Sequence, residues 1–151
     1  PKDPVFPMYL GDKALASNDL QEAKQQFERA TELQAGNAAA FNNLAWVKAR
    51  LKQPGALADA EKANALAPKQ PAFMDTWAML LSEAGQHEKA IDLQKQALAL
   101  QPQAVLLKLN MAKIYIQAGQ KDAARSLLDE IQALGDKFPG KEEAASLRST
   151  L

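Results

Sequence analysis

The chain has 151 residues, 47% of them apolar, with 18 Lys and Arg residues balancing 18 Asp and Glu residues and no cysteine. Zero net charge gives no general attraction to nucleic acid or to an anionic membrane surface. The lack of cysteine excludes disulfides and thiol catalysis. No apolar run reaches membrane-spanning length, so we expect no direct membrane insertion by this segment. The chain begins Pro1-Lys2-Asp3-Pro4 without a Met or a signal-like leader, and we expect it to be a piece of a longer protein.

A small residue recurs along the chain at steps of 33, 34 and 34 residues, at Ala23, Ala56, Ala90 and Ala124. A period of this length is typical of helical repeat arrays. A second small-residue position lies eleven or twelve residues before each alanine, at Gly11, Ala45, Ala78 and Ala112. Small residues allow the two helices of a hairpin to cross closely, because interiors tolerate neither clashes nor gaps.

The period predicts four helical hairpins, at about residues 4–37, 38–70, 71–104 and 105–136. In the first hairpin, Asn18-Asp19 supplies a turn and a helix cap before the apolar spacing of the second helix. In the second, Gln53-Pro54-Gly55 makes a turn one residue shorter, which accounts for the 33-residue step.

The third hairpin is predicted to begin at Pro71, to turn at Gly85 and to end before Pro102. The fourth turns at Gly119. A linker over residues 136–140 then precedes a last helix at about 141–151. Ala144, Leu147 and Leu151 share one face of that helix, as a terminal cap requires. The pattern predicts an all-α fold in a single domain over residues 1–151.

The small residues, turn glycines and closing prolines resemble the tetratricopeptide repeat (TPR), whose period is 34 residues. The resemblance covers about residues 4–136 and is fullest in the third unit, from Thr76-Trp77-Ala78 to Pro102. The first unit departs from the pattern at Pro7, and the fourth at Ile131. The resemblance implies a right-handed α-solenoid of TPR helix hairpins with a C-terminal capping helix.

Several short segments are similar to the TPR lipoproteins of the bacterial PEP-CTERM/exosortase system. These segments are Asn42 to Val47, Pro54-Gly55, Asp75-Thr76-Trp77 and Phe138 to Ala144. The similarity implies a role in exopolysaccharide production or export and in the sorting of PEP-CTERM proteins. It also implies a location in the bacterial periplasm or anchored at the outer membrane. Proteins of that group are much longer, so the chain would be their C-terminal part.

The residues offer no catalytic constellation. His87 is the single histidine and falls in a predicted turn, where we interpret it as solvated, because catalytic zinc normally takes three protein ligands. The turn glycines fit no phosphate-binding or dinucleotide-binding pattern. Adjacent carboxylates such as Glu142-Glu143 point in different directions on a helix and form no acid/base pair. We therefore expect no enzyme activity, no cofactor and no metal.

The TPR resemblance implies that the first helix of each hairpin lines a concave groove that binds a peptide or protein. Asn43 and Asn110 would hydrogen-bond a ligand backbone, and Trp46 is either exposed in the groove or part of the core. Trp77 is expected to be structural. Carried over by position, the groove residues are Met8, Tyr9, Asp12, Asn42, Asn43, Trp46, Asp75, Thr76, Met79, Leu109, Asn110 and Lys113.

The leading hypothesis is a non-catalytic scaffold that binds protein or peptide partners and no nucleic acid. Two alternatives are an accessory module of a larger enzyme, such as a glycosyltransferase, and a cytosolic adaptor. A further alternative is self-association through the N-terminal repeat edge at Val5 and Phe6. A basic clamp for a C-terminal carboxylate is not expected, because Met8 and Asp12 stand where Lys and Asn are required.

Overall fold

A computed structural model describes residues 3–135 and 138–151, and all regular structure within them is α-helical. The predicted all-α helical repeat fold is therefore confirmed. Each predicted hairpin encloses two helices, and the predicted cap encloses one. The helices are α1 (Val5–Ala16), α2 (Leu20–Leu33), α3 (Ala38–Arg50), α4 (Ala56–Leu66), α5 (Pro71–Glu83), α6 (His87–Leu100), α7 (Val105–Gln117), α8 (Lys121–Gln132) and α9 (Lys141–Ser149).

The chain divides into two compact units, Pro1–Leu80 and Leu81–Leu151, so the division falls within α5. We refer to them as unit 1 and unit 2. The interpretation of residues 1–151 as a single domain stays a prediction. Asp136 and Lys137 of the predicted linker lie outside the described residues.

Side-chain caps and a glycine with positive φ fix several of the helix ends. The Asp19 side chain accepts a hydrogen bond from the Glu22 N–H at 3.1 Å and caps α2. Asn37 caps α3 in the same way, through the Ala40 N–H at 3.0 Å. Gly85 has a φ of 81°, which a residue without a Cβ adopts at little cost. These caps and turns allow short connections between successive helices.

In unit 1, the first hairpin crosses closely where α1 carries Gly11. The Phe27 ring of α2 lies against this glycine, and a Cβ atom added at Gly11 would come within 2.5 Å of Phe27 Cε1. Phe27 is fully buried with Ala23 in a core cluster that also includes Leu44 and Val47 of α3. The first hairpin and α3 therefore share one core.

The second hairpin uses a different pair of residues at the corresponding positions. Ala45 of α3 and Ala60 of α4 are both fully buried in one cluster, against which Trp77 of α5 packs. Asn64 of α4 donates from Nδ2 to the Phe73 carbonyl oxygen at 3.0 Å and ties α4 to α5. Trp77 thus packs in unit 1 as a structural residue.

In unit 2, α9 closes the core formed by α7 and α8. Ala144 of α9 is fully buried with Leu109, Leu128 and Ile131, and Leu147 packs against the same cluster. Polar contacts also hold α9 and the residue Leu151 from outside this core. Arg148 Nε donates to Asp129 Oδ1 at 2.6 Å, and Arg125 Nη2 donates to the Leu151 carbonyl oxygen at 2.6 Å.

The crossing at Gly11 gives a stability prediction. The substitution Gly11→Ala should lower the free energy of unfolding by about 1–2 kcal/mol, because the overpacking cost against Phe27 exceeds the helix-propensity gain. Chemical denaturation monitored by circular dichroism measures the change. In a Phe27→Leu background the same substitution should be neutral or stabilising, since Ala112 and Leu128 occupy the corresponding positions of the fourth hairpin.

Gly36→Ala is the matched control, because no atom lies within 4 Å of a Cβ added there. This substitution should change the free energy of unfolding by less than about 0.5 kcal/mol. A Gly11→Ala protein as stable as the wild type would contradict the close crossing.

Candidate binding surface

In unit 1, α1 and α3 are joined on the predicted groove surface by a polar contact. Asn43 Nδ2 of α3 donates to Asp12 Oδ1 of α1 at 3.5 Å. Both residues were predicted to lie in the groove from the repeat position alone. The contact is long for a hydrogen bond of this kind, so both side chains retain capacity for another partner. The structure therefore brings Asp12 and Asn43 together on one surface.

Trp46 lies in solvent contact next to this pair on α3. Its side chain is 41% exposed, whereas Leu44, Ala45 and Val47 are buried. The guanidinium carbon of Arg50, one helical turn later, lies 4.7 Å from the centroid of the Trp46 ring. Such a cation–π contact holds the indole in place outside the core. Of the two placements left open for Trp46, the structure shows the exposed one.

Asn42 adds an unsatisfied acceptor to the same helix. Its side chain is half-buried, and Oδ1 is fully buried without a hydrogen-bond partner among the described residues. A buried acceptor without a partner costs free energy, about 1–3 kcal/mol.

The remaining predicted groove residues of unit 1 differ in exposure. Tyr9 is 59% exposed on α1. Asp75, Thr76 and Met79 are half-buried on α5. The Thr76 hydroxyl donates to the Ala72 carbonyl oxygen at 3.2 Å within its own helix. Their role in a groove stays a prediction.

In unit 2 the predicted groove residues are engaged within the fold. Asn110 is only 9% exposed, and Leu109 is fully buried in the core beneath α9. The interpretation of Leu109 as a surface residue is therefore wrong, because α9 covers it. Lys113 Nζ forms an ion pair with Glu143 Oε1 of α9 at 2.5 Å. Contact of Asn110 or Lys113 with a ligand stays a prediction.

Two features of unit 1 were missed in the sequence. Arg50 follows Trp46 by four residues, a spacing that brings side chains together on a helix and could have revealed the pair. A cavity of about 310 Å³ lies between α1 and α2, with Phe6, Leu10 and Leu33 in its lining. Its apolar lining residues look like ordinary core positions in the sequence.

His87 begins α6 and is half-buried, with Nδ1 buried and without a hydrogen-bond partner among the described residues. Within residues 3–135 and 138–151, no three His, Cys, Asp or Glu side chains are grouped so that they could hold a metal ion. In the same part of the chain, no helix combines the length and apolar character needed to cross a membrane.

Residues 81–151 match the family model for the tetratricopeptide repeat. The solved structure of TTC0263, a TPR protein from Thermus thermophilus, superposes with a TM-score of 0.82 at 22% identity, covering 98% of this chain and 80% of that one. Residues 81–151 therefore match the tetratricopeptide repeat, and the chain shares the fold of TPR proteins. No curated protein matches it.

Two other solved structures share the TPR fold. YrrB, described as a TPR protein with an unusual peptide-binding site, has a TM-score of 0.72 at 22% identity, covering 87% of this chain and 70% of that one. The pilF protein of Pseudomonas aeruginosa has a TM-score of 0.80 at 20% identity, covering 97% and 66%. The TPR fold is that of a protein-interaction scaffold, and TPR proteins are generally non-catalytic.

The two tryptophans of the chain should differ in their effect on stability. Trp46→Ala should lower the free energy of unfolding by about 0.5–1 kcal/mol, since an exposed side chain loses mainly its contact with Arg50. Trp77→Ala should lower the free energy of unfolding by about 2–3 kcal/mol, because it leaves a cavity next to Ala45, Ala60 and Leu80. Urea denaturation of both variants measures the difference. An equal loss in the two variants would show that Trp46 belongs to the core.

Proposed function

We propose that the chain is a non-catalytic scaffold that binds a peptide or protein segment on the surface around Trp46 in unit 1. The observation that carries the proposal is the exposed Trp46 of α3, one helical turn after Asn43, whose side-chain amide contacts Asp12 of α1. An exposed aromatic anchor is typical of a protein-binding surface. The peptide-binding site named for YrrB supports the same class of partner.

The residues around Trp46 indicate which chemical groups the partner should carry. Arg50 covers one side of the indole, so an apolar ligand side chain would pack on the rest of its exposed surface. Asn43 and Asp12 would hydrogen-bond the ligand backbone or a basic side chain. These groups favour an extended segment with one large apolar residue.

Acidic C-terminal peptides do not fit this surface. A carboxylate is bound tightly where cationic donors form charge-assisted hydrogen bonds. The corresponding positions hold Met8, Asp12, Ala72 and Thr76, and the Asp12 carboxylate would repel an acidic end. This distinguishes the proposed site from that of a carboxylate-clamp adaptor.

We further propose that the chain acts in bacterial exopolysaccharide production or export and in PEP-CTERM protein sorting. It would be the C-terminal part of a TPR lipoprotein in the periplasm or anchored at the outer membrane. The segments Asn42 to Val47 and Phe138 to Ala144 support this setting. Exosortase or polysaccharide-synthesis genes beside its own gene would support the proposal, and their absence would overturn it.

Self-association is a second proposed property, favoured by the large exposed apolar side chains of α1. Val5 is 68% exposed and Phe6 is 66% exposed. Exposed apolar groups of this kind often mark an interface between proteins.

A peptide-selection experiment tests the scaffold proposal. Selection from a random-sequence peptide phage library on the wild-type chain should enrich peptides with a large apolar residue. Trp46→Ala should raise the dissociation constants of synthesised selected peptides by at least about tenfold, because the aromatic anchor is lost. Fluorescence anisotropy of the labelled peptides measures the change.

Leu66→Ala is the matched control, since Leu66 is an exposed apolar residue of α4 away from Asn42 and Trp46 in sequence. This variant should bind the selected peptides as the wild type does. A peptide with an acidic C-terminal end should show no saturable binding at micromolar concentrations. Failure to enrich any peptide, or equal binding to the Trp46→Ala protein, would contradict the proposal.

A further inference from the structure

We infer that the segment bound at Trp46 carries a basic side chain close to its large apolar residue, and that Asp12 is the residue that selects it. The inference rests on the proposed function and narrows the partner from any apolar segment to a cationic one. Four side chains of unit 1, which we call the Trp46 site, carry it: Asp12 of α1 with Asn43, Trp46 and Arg50 of α3.

The Asp12 carboxylate keeps most of its hydrogen-bonding capacity. Asp12 is exposed, and its Oδ1 lies 3.5 Å from Asn43 Nδ2. An ionised carboxylate accepts about four hydrogen bonds, so this single long contact leaves room for a strong donor. Within residues 3–135 and 138–151, Asp12 forms no ion pair. The contact with Asn43 also places the carboxylate towards α3, so its position does not depend on what precedes α1 in the chain.

The carboxylate lies within one ligand's reach of the aromatic anchor. Asn43, which contacts Asp12, and the exposed Trp46 are three residues apart on α3. Residues at this spacing are neighbours on a helix surface, with a rise of about 4.5 Å between them. In an extended segment, side chains two positions apart point to the same side and are about 6.6 Å apart. A ligand with its apolar side chain on Trp46 can therefore place the side chain two positions away at Asp12.

Charges of opposite sign lie on opposite sides of Trp46 along α3. Asn43, with Asp12 beside it, precedes Trp46 by three residues, whereas Arg50 follows it by four. The Arg50 guanidinium carbon lies 4.7 Å from the centroid of the indole ring. A basic ligand side chain is therefore attracted to the Asp12 end of the site and repelled from the Arg50 end. Because opposite charges across an interface fix its register, this polarity orients the ligand.

The neighbouring lysines do not neutralise Asp12. Lys48 Nζ of α3 is paired with Asp59 Oδ2 of α4 at 2.6 Å. Lys13 follows Asp12 directly on α1, and adjacent residues of a helix do not face each other. The cation that completes the Asp12 end of the site therefore comes from the ligand.

The peptides selected from the phage library test the inference. They should carry Lys or Arg two residues from the large apolar residue. Replacement of that basic residue by Gln in a synthesised peptide should raise the dissociation constant about threefold to tenfold, as expected for a charge pair partly screened by solvent. Added salt should weaken the parent peptide more than the Gln peptide, because salt screens the charge pair. Fluorescence anisotropy measures both effects.

Asp12→Asn tests the same pair from the side of the protein. The amide keeps the shape of the carboxylate without its charge, so the variant should bind the parent peptide about threefold to tenfold more weakly and no better than the Gln peptide. Glu32→Gln is the matched control, since Glu32 is exposed on α2 and its replacement changes the net charge equally. This control should bind both peptides as the wild type does.

Charge reversal separates selection by Asp12 from damage to the surface. Asp12→Lys should prefer a peptide with Glu in place of the basic residue over the parent peptide, because the attraction is restored with the opposite signs. A variant with a distorted surface would instead bind both peptides more weakly.

Selected peptides that depend on Trp46 but carry no basic residue at this spacing would overturn the inference and leave the scaffold proposal intact. Equal effects of Asp12→Asn and Glu32→Gln, or an unchanged preference in Asp12→Lys, would do the same. Failure to select any peptide, or binding that Trp46→Ala does not weaken, would overturn the scaffold proposal and the inference together. The two failures are therefore distinguishable.

Discussion

The close crossing of two helices within a hairpin is the constraint on which the rest of the structure depends. At this crossing a side chain on one helix requires a small residue on the other. In the first hairpin, the Phe27 ring of α2 packs against Gly11 of α1. The repeated alanines satisfy the same requirement, and Ala23, Ala90 and Ala124 are fully buried. Ala56 is half-buried because it is the first residue of α4 and lies at the end of the crossing. The residues that carry the period therefore hold helices together and are unavailable to a ligand.

Binding must then come from the residues between the repeat positions. On α3, Leu44, Ala45 and Val47 fill the core, so Trp46 is left on the outside, where Arg50 covers part of the ring. Asn42, also on α3, has a buried acceptor, Oδ1, without a hydrogen-bond partner among the described residues. The packing of the hairpins thus determines where an aromatic anchor can be exposed. The exposed residues differ from repeat to repeat, although buried small residues recur at the repeat positions.

The sequence predicts the local features well, because helix spacing, caps and turns depend on neighbouring residues. Gly85 ends α5 and Asp19 caps α2 as expected. The sequence also predicts the apolar face of α9 that packs on the last hairpin, but not the individual residues it contacts, since these depend on how a helix packs on residues some thirty positions away. For that reason Leu109 was expected at the surface but lies in the core, and the ion pair of Lys113 with Glu143 was missed. The position of Trp46 was left open because apolar content alone does not assign a side chain to core or surface.

The central claim is that Trp46 contacts a bound protein segment while Trp77 stays packed within unit 1. The most direct measurement is the fluorescence of a Trp77→Phe protein, in which Trp46 is the single emitter. In the free protein, acrylamide should quench Trp46 efficiently. A saturating library-selected peptide should shift its emission to the blue and protect it from quenching. Unchanged emission and quenching of Trp46, with peptide binding established by anisotropy, would contradict the account.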